Sequence, residues 1–250
     1  MAQLVEGSVG GPAGEPLLVH PGQSQLTGWA ADALDLFKRR MSDAEPPFPC
    51  IFGVDATRRG TLRLTFVPAG PRRLDHLAAA LVAFAEQAQE LGRRTSLVAI
   101  FEPDSALATL EDYRAEFWSM LSVLRERDTE PWPEGISRDT EHPEWEFSFH
   151  GVPLFVVVNT PVHKRRRSRY FEYFAITFQP RFVFDDLAET SPQGQRARAI
   201  IRSRLAEYDE LGPAPVLGSF GVVGNREWIQ YFLEDDNDTT HAGVRCPMHS

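Results

Sequence analysis

The sequence predicts an α+β fold: a single domain with a mixed, largely antiparallel sheet flanked by helices. Helix-like and strand-like segments alternate irregularly along the 250 residues, and two pairs of strand candidates are joined by short turns. The composition is that of a globular protein, with 42% hydrophobic and 24% charged residues. Because no repeat or clean linker interrupts the pattern, residues 26–250 are predicted to form one domain. Residues 1–25, which include the Gly/Pro-rich stretch 7–14, are predicted to be a flexible leader.

Hydrophobic periodicity predicts three helices and three strands in the first half of the chain. The helices are expected where apolar residues recur every three to four positions, over residues 29–41, 74–91 and 106–127. Gly92 directly follows the second helix, at a position typical of a helix end. The strands are expected over residues 51–55, 61–67 and 96–101, the first two as a hairpin around the turn at 57–60.

The second half of the chain predicts a second hairpin and a shorter set of elements. Residues 145–149 and 152–158 form strand candidates around His150 and Gly151. The second of these runs is apolar at consecutive positions, which predicts a strand covered on both faces. Further along, a strand is expected over residues 174–181, a helix over 193–208 and a short helix near 225–233.

Charge and composition exclude several functional classes. The net charge of −9 argues against general nucleic-acid binding but not against a small cationic substrate. No apolar run reaches the roughly 20 residues that span a bilayer, and the N-terminus lacks the features of a secretion signal. Cys50 and Cys246, the only cysteines, do not make a disulfide framework, so we expect a reduced, cytoplasmic protein without a membrane partner.

The most informative stretch is residues 159–169, where a buried strand ends at Pro161 and His163 follows. Five cations come within the next six residues, at positions 164–167 and 169. One interpretation is a solvated basic loop. The other is a histidine ligand with arginines that pair with the carboxylates of a cofactor, an arrangement that haem fits. Spacing alone does not choose between them.

Two weaker motifs lie near the C-terminus. Residues 235–239 are similar to a calcium loop, but the required glycine and closing glutamate are missing. Residues 246–249 have a ligand-like spacing of Cys246 and His249, for which a structural tail without metal is the favoured interpretation.

Several motifs together resemble the YqcI/YcgG family, in order and without large gaps from about residue 29 to the C-terminus. They include Pro-Phe-Pro-Cys-Ile-Phe-Gly at 47–53, Pro-Trp-Pro at 131–133 and Trp-Glu-Phe-Ser-Phe at 145–149. The others are at residues 159–169, 178–185, 225–233, 235–237 and 246–249. Some members of this family, in natural-product pathways, are haem-dependent N-oxygenases that hydroxylate the guanidine of free arginine or a related amino acid.

The resemblance implies haem b (iron protoporphyrin IX) as cofactor and a small cationic amino acid as substrate. His163 is the preferred iron ligand, and Cys50 is its rival because a thiolate favours O–O cleavage. Arginines of the basic run are the candidates for pairing with the propionates: Arg165, Arg166, Arg167 and Arg169.

A guanidinium substrate needs a carboxylate partner, and its α-carboxylate needs a cation. The candidates for these roles are Glu146, Asp235 and Asp236 as acids, Arg181 or Arg226 as the cation, and Asn237 and Asn159 as polar groups. The oxidant would be dioxygen or peroxide, and because no flavin or nicotinamide motif is present, electrons for dioxygen would come from an external donor. Two alternatives stay open: a non-catalytic haem or small-ligand binding protein, and a metal hydrolase built on His163, Cys246 and His249.

Overall fold

A five-stranded mixed sheet organises the fold, with the strands in the order β1-β2-β5-β4-β3. The computed structural model describes residues 17–22, 26–43, 45–237 and 245–248. β1 and β2 are parallel, and the other three neighbouring pairs are antiparallel, so the predicted α+β class with a largely antiparallel sheet is confirmed. The strands are β1 (Arg63–Val67), β2 (Leu97–Phe101), β3 (Ser148–Phe149), β4 (Val152–Asn159) and β5 (Ala175–Pro180).

Five α-helices surround the sheet in the described part of the chain. They are α1 (Gly28–Ser42), α2 (Ile51–Arg59), α3 (Arg73–Leu91), α4 (Leu110–Arg127) and α5 (Pro192–Tyr208). Their ends follow local chemistry. Thr109 and Asp112 form a capping box at the start of α4, and the Ser191 hydroxyl accepts the N–H of Gly194 at the start of α5. α3 ends at Leu91, directly before Gly92, as the sequence predicts.

The two faces of the sheet pack against different helices. Leu97, Ala99 and Phe101 of β2 join the core that α3 and α4 cover, whereas Val98 and Ile100 join the core that α1 covers. This alternation follows from the two-residue period of a strand. β4 alternates in the same way, because Leu154, Val156 and Val158 are buried in the first core while the residues between them are only half-buried.

One predicted element is wrong: residues 51–55 belong to helix α2 and not to a strand, so the first predicted hairpin does not exist. The Cys50 thiol accepts the N–H of Gly53 at the start of this helix, and Gly60 ends it with a left-handed φ of 69°. Asp55 and Arg59 add an ion pair one turn apart. These local signals, and not the apolar content of the run, determine the conformation.

The remaining predictions of secondary structure are confirmed, with shifts at the ends. The hairpin around His150 and Gly151 is present as β3 and β4, and the helix expected near 225–233 is a 3-10 helix over Glu227–Gln230. Two further 3-10 helices lie at Arg167–Arg169 and Arg181–Phe184. Of the predicted leader, residues 17–22 are described, and Val19 exchanges two backbone hydrogen bonds with Leu64. Residues 1–16 and 23–25 of it lie outside the described residues.

In the described residues, none of the helices combines the length and the apolar character that a membrane crossing requires.

Candidate functional site

Two neighbouring cavities lie beside β4 and the segment that follows β5. Cavity A has a volume of about 250 Å³ and contacts the Cys50 thiol. Cavity B has a volume of about 520 Å³, and Glu227 and Arg181 are among the residues that line it. Phe155 of β4 and Ile201 of α5 line both cavities, so only side chains separate them.

Cavity A is largely apolar and is built on the sheet face that α1 and α2 border. Phe155 and Val157 of β4 and Thr177 of β5 form its floor. The run 152–158 is thus covered on one face by core, and on the other it faces this cavity. The strand predicted to be covered on both faces therefore supplies an apolar wall that a ligand can contact.

Cys50 is the residue of cavity A that can supply a thiolate, which is a soft metal ligand. It is a free thiol at the N-terminus of α2, where its Sγ lies 3.3 Å from the donating N–H of Gly53. Burial raises the pKa of this thiol, while the N–H groups of Gly53 and Phe52 and the charge of Arg169 oppose the rise. The same N–H groups and cation would stabilise a thiolate once it is deprotonated, as at other helix N-termini.

Arg40 in the wall of cavity A has hydrogen-bonding capacity to spare. Its Nη1 is buried without a hydrogen-bond partner among the described residues, and its Nη2 is 3.7 Å from Glu172. The guanidinium lies over the rings of Tyr170 and Phe171, with its Cζ 5.3 Å from each centroid. A buried orphan N–H of a cation is costly, and a carboxylate bound in the cavity would satisfy it.

His163 lies outside both cavities, and both of its ring nitrogens are engaged. Nε2 is 2.9 Å from the carbonyl oxygen of Leu233, and Nδ1 is 2.8 Å from the hydroxyl of Thr160. Because the carbonyl only accepts, Nε2 carries the proton and Nδ1 accepts from the hydroxyl. Burial is the main cause that lowers the pKa of His163, to about 4. As folded, neither nitrogen is available to a metal.

The basic run is turned largely inward. Arg166 donates to the carbonyls of Gly212, Glu234 and Asp236 and to the Asn237 side chain. Arg169 donates to the carbonyls of Val158, Gln230 and Tyr231, and burial lowers its pKa to about 10. Both line cavity A. Arg165 is half exposed, 3.7 Å from Glu210, and Arg167 packs over the Tyr208 ring.

Three of the predicted substrate-binding residues hold the basic run in place instead. The Asp235 carboxylate accepts the backbone N–H groups of residues 164–166. Asn237 accepts from Arg166 and donates to the carbonyl of Leu211. Asp236 accepts from Arg166 through its backbone oxygen. None of the three lines cavity A or cavity B, so their geometry is structural in this conformation.

Two more of the predicted substrate-binding residues, Glu146 and Arg181, meet beside cavity B. Arg181 donates from Nε to Glu146 Oε2 at 2.9 Å and from Nη2 to Glu146 Oε1 at 2.6 Å. The same Nη2 donates to Glu227 Oε2 at 2.9 Å. The two carboxyl groups therefore lie side by side at one guanidinium nitrogen. Burial is the largest cause that raises the pKa of Glu146 well above its usual range, and repulsion by Glu227 adds to the rise. The charge of Arg181 opposes it.

The sequence prediction missed Glu227 and Arg40. Glu227 is an acid directly before the mostly apolar and aromatic segment Trp228–Ile229–Gln230–Tyr231–Phe232, and such a position signals a buried, paired carboxylate. Arg40 gives no signal in sequence, because basic residues commonly occupy the last turn of a helix. Its role depends on the position of α1 over the sheet.

The predicted metal alternative gains no support from the described residues, among which no cluster of three or more His, Cys, Asp or Glu side chains could hold an ion. Cys246 is buried, and burial raises its pKa to about 12. His249 lies outside the described residues.

Together these features define a single-domain α+β protein that carries an apolar, thiol-bearing cavity next to an acidic one. No solved structure shows a significant match to the chain. The chain belongs to the YqcI/YcgG family, whose sequence model matches residues 37–249.

Three curated relatives are similar over almost the whole chain. "Uncharacterized protein YqcI" of Bacillus subtilis (strain 168) is 39% identical, and the match covers 89% of this chain and 89% of its own length. "Uncharacterized protein YcgG" of the same organism is 40% identical, and the match covers 90% of each of the two chains. The third is named "Putative N(omega)-hydroxy-L-arginine synthase DcsA", from Streptomyces lavendulae. It is 37% identical over 89% of this chain and 85% of its own length.

Proposed function

We propose that this protein is a haem-dependent N-monooxygenase that hydroxylates the guanidino group of free L-arginine or a related amino acid in a specialised-metabolite pathway. The observation that carries the proposal is the similarity, over 89% of the chain, to a relative named as an N(omega)-hydroxy-L-arginine synthase. The donors around the two cavities support it, since one cavity offers a thiol and cations and the other offers carboxylates.

Haem fits cavity A by chemistry. The wall is apolar, the Cys50 thiol reaches it from a helix N-terminus, and Arg40 carries the orphan N–H that a propionate would satisfy. Arg166 and Arg169 add positive charge at the same wall. His163, whose nitrogens both serve the protein's own hydrogen bonds, fits the ligand role less well, so the geometry favours Cys50.

Binding of haem in cavity A depends on the volume of that cavity. Its volume of about 250 Å³ is below the roughly 300–1,000 Å³ of typical small-molecule pockets. The side chains of Phe155 and Ile201, which separate it from cavity B, would therefore have to move to admit a macrocycle. Both are apolar side chains without polar partners to break, so such a movement costs packing alone.

When bound, haem supplies the activation of dioxygen or peroxide that inserts one oxygen atom into an N–H bond. The chain's own residues would do the remainder. Cys50 would be held as thiolate by the N–H of Gly53 and the charge of Arg169, and Arg40 would neutralise a carboxylate. The apolar wall formed by Phe155 and Val157 would exclude water from the reacting group.

The test is a set of absorption spectra and turnover assays on protein expressed with added haem precursor. Spectra are recorded before and after dithionite and carbon monoxide, and arginine is assayed for the mass gain of one oxygen atom. Cys50→Ser is expected to abolish the thiolate-type carbon monoxide spectrum and the turnover. Cys246→Ser removes the other cysteine, which lies outside both cavities, and His163→Gln removes the rival ligand; both are expected to keep the spectrum.

The outcomes separate the open alternatives. Loss of the Soret band in His163→Gln with retention in Cys50→Ser would return the ligand role to His163. A Soret band without conversion of any guanidino amino acid would favour a non-catalytic haem-binding protein. A colourless protein that takes up no added hemin would refute the haem mechanism.

A further inference from the structure

The charges beside cavity B do not balance unless a proton or a ligand is added. Two carboxyl groups, Glu146 and Glu227, share the single guanidinium of Arg181. The Glu146 side chain has no exposed surface and that of Glu227 is 6% exposed, so water cannot neutralise the excess negative charge.

In the structure as it stands, a shared proton makes up the balance. Oε1 of Glu146 and Oε2 of Glu227 accept hydrogen bonds from the same Nη2 of Arg181, so the two buried carboxyl groups lie side by side. Paired carboxyl groups in a buried site share a proton in this way because both cannot ionise together. The resting charge of the three groups is therefore zero: one carboxylate, one neutral acid and one guanidinium.

The cavity itself is suited to a planar cation. Phe52, Phe155, Phe184 and Phe220 line cavity B together with Glu227. Arg181 already shows how this environment holds a guanidinium, with its Cζ 4.3 Å from the Phe220 ring centroid and 5.1 Å from that of Phe184. Aromatic faces and a carboxylate are the two partners that a guanidinium prefers.

We propose that cavity B binds the guanidinium of the substrate through Glu227, and that this binding releases the proton that Glu146 and Glu227 share. The inference rests on the proposed function and adds the residue that selects a cationic group. With the proton gone, two carboxylates face two guanidinium groups, that of Arg181 and that of the ligand, and the charge is again zero. Glu146 lies behind Glu227 and acts as a positioning residue, because it does not line the cavity.

Other groups near Glu227 leave this balance unchanged. The Tyr231 hydroxyl donates to the carbonyl of Leu154 and accepts the N–H of Phe147, and burial raises its pKa, so it stays neutral. At the mouth, Asp185, Glu189 and Arg198 also line cavity B. Arg198 donates to the carbonyls of residues 187–189, and its one positive charge is outnumbered by the two acids, which favours entry of a cation.

The test is calorimetry of L-arginine binding to the purified protein in two buffers of different ionisation enthalpy. We expect release of about one proton per arginine bound, and tighter binding as the pH rises. L-citrulline, the neutral isostere, should bind roughly ten- to a hundredfold more weakly and release no proton. Glu227→Gln should remove this preference for arginine and the proton release, with citrulline binding unchanged.

Two further variants make the result specific. Glu116→Gln is the matched control, since Glu116 of α4 pairs with Arg73 of α3, away from both cavities. This variant should bind arginine as the wild type does. Phe220→Ala removes an aromatic wall of the cavity and the ring that lies over Arg181, but it leaves both carboxyl groups in place. It should weaken arginine binding without abolishing proton release, which keeps the inference testable if Glu227→Gln fails to fold.

The outcomes distinguish this inference from the proposed function. Arginine binding by the wild type with no proton release, or with affinity unaffected in Glu227→Gln, would overturn the subsite and leave the proposed function standing. A wild-type protein that binds neither L-arginine nor any other guanidino amino acid would refute the proposed function and this inference with it.

Discussion

Replacing His163 with glutamine should remove an acid-sensitive contribution to the stability of the fold. His163 is 2% exposed and neutral, and burial lowers its pKa from an ordinary 6.5 to about 4. The unfolded chain therefore binds a proton between these pH values that the folded protein does not. The contribution of neutral His163 to the unfolding free energy is fully present above pH 6.5. It decreases as the pH falls and is lost once the pH has passed through about 4.

The magnitude follows from that pH interval. At 1.36 kcal/mol for each pH unit, the interval from 6.5 to about 4 corresponds to about 3 kcal/mol of unfolding free energy. Glutamine is suitable because its amide can still donate to the Leu233 carbonyl but does not titrate. At pH 7 the variant loses the bond with Thr160, for which about 1 kcal/mol is expected.

The assay is urea unfolding followed by tryptophan fluorescence at several pH values between 7 and 4. The difference in unfolding free energy between wild type and His163→Gln should shrink and then change sign as the pH falls. His142→Gln, at an exposed histidine, is the control and should run parallel to the wild type. A constant difference between wild type and His163→Gln across this interval would refute the assignment of His163 as a buried, neutral, hydrogen-bonded side chain.

Three further substitutions test the packing around the two cavities. Asp235→Ala removes the acceptor of three backbone N–H groups and should lower the unfolding free energy by about 2 kcal/mol, measured by urea unfolding, with Asp235→Asn losing less. Tyr231→Phe leaves two buried backbone groups without a partner and should cost about 2 kcal/mol in the same assay. A Cβ at Gly194 would overlap the carbonyl oxygens of the preceding loop, so Gly194→Ala should lower the thermal unfolding midpoint. Gly53 lies within helix α2, where an added Cβ would make only ordinary contacts, so Gly53→Ala should raise that midpoint. Equal effects of the two substitutions on the midpoint would contradict the close packing described at Gly194.

Most secondary structure could be predicted because it depends on local periodicity. The helices α3 and α4 carry apolar residues at helical spacing, and β2 is a short apolar run between polar turns. α2 was not predictable in this way, since its largely apolar run at residues 51–54 is short and fits either a strand or a helix. Its helical state depends on a cysteine that accepts an N–H and on a glycine with positive φ, and cysteine is not among the common capping residues.

The candidate site was predictable in its residue types but less so in its pairing. Glu146 and Arg181 are predicted separately, as an acid and a cation that contact the substrate, whereas in the structure the two side chains bind each other. The inward orientation of Arg166 and Arg169 could not be foreseen, because it depends on backbone carbonyls that are distant in sequence. Except for the carbonyl of Val158, these acceptors lie about 45 to 70 residues further along the chain. Backbone carbonyls have no signature in sequence, so a buried arginine that binds them looks the same as a solvated one.

The buried charges give the two cavities opposite electrostatic character. Beside cavity A, Arg169 is held by three backbone carbonyls, which orient the cation without cancelling its charge. Beside cavity B, two carboxyl groups more than compensate the one guanidinium of Arg181. Cavity A therefore offers a cation to a carboxylate near Arg40, whereas cavity B offers carboxyl groups to a cation. Since only the apolar side chains of Phe155 and Ile201 lie between them, a cationic group bound at Glu227 would be held next to cavity A, as N-oxygenation of a guanidine by a group in that cavity requires.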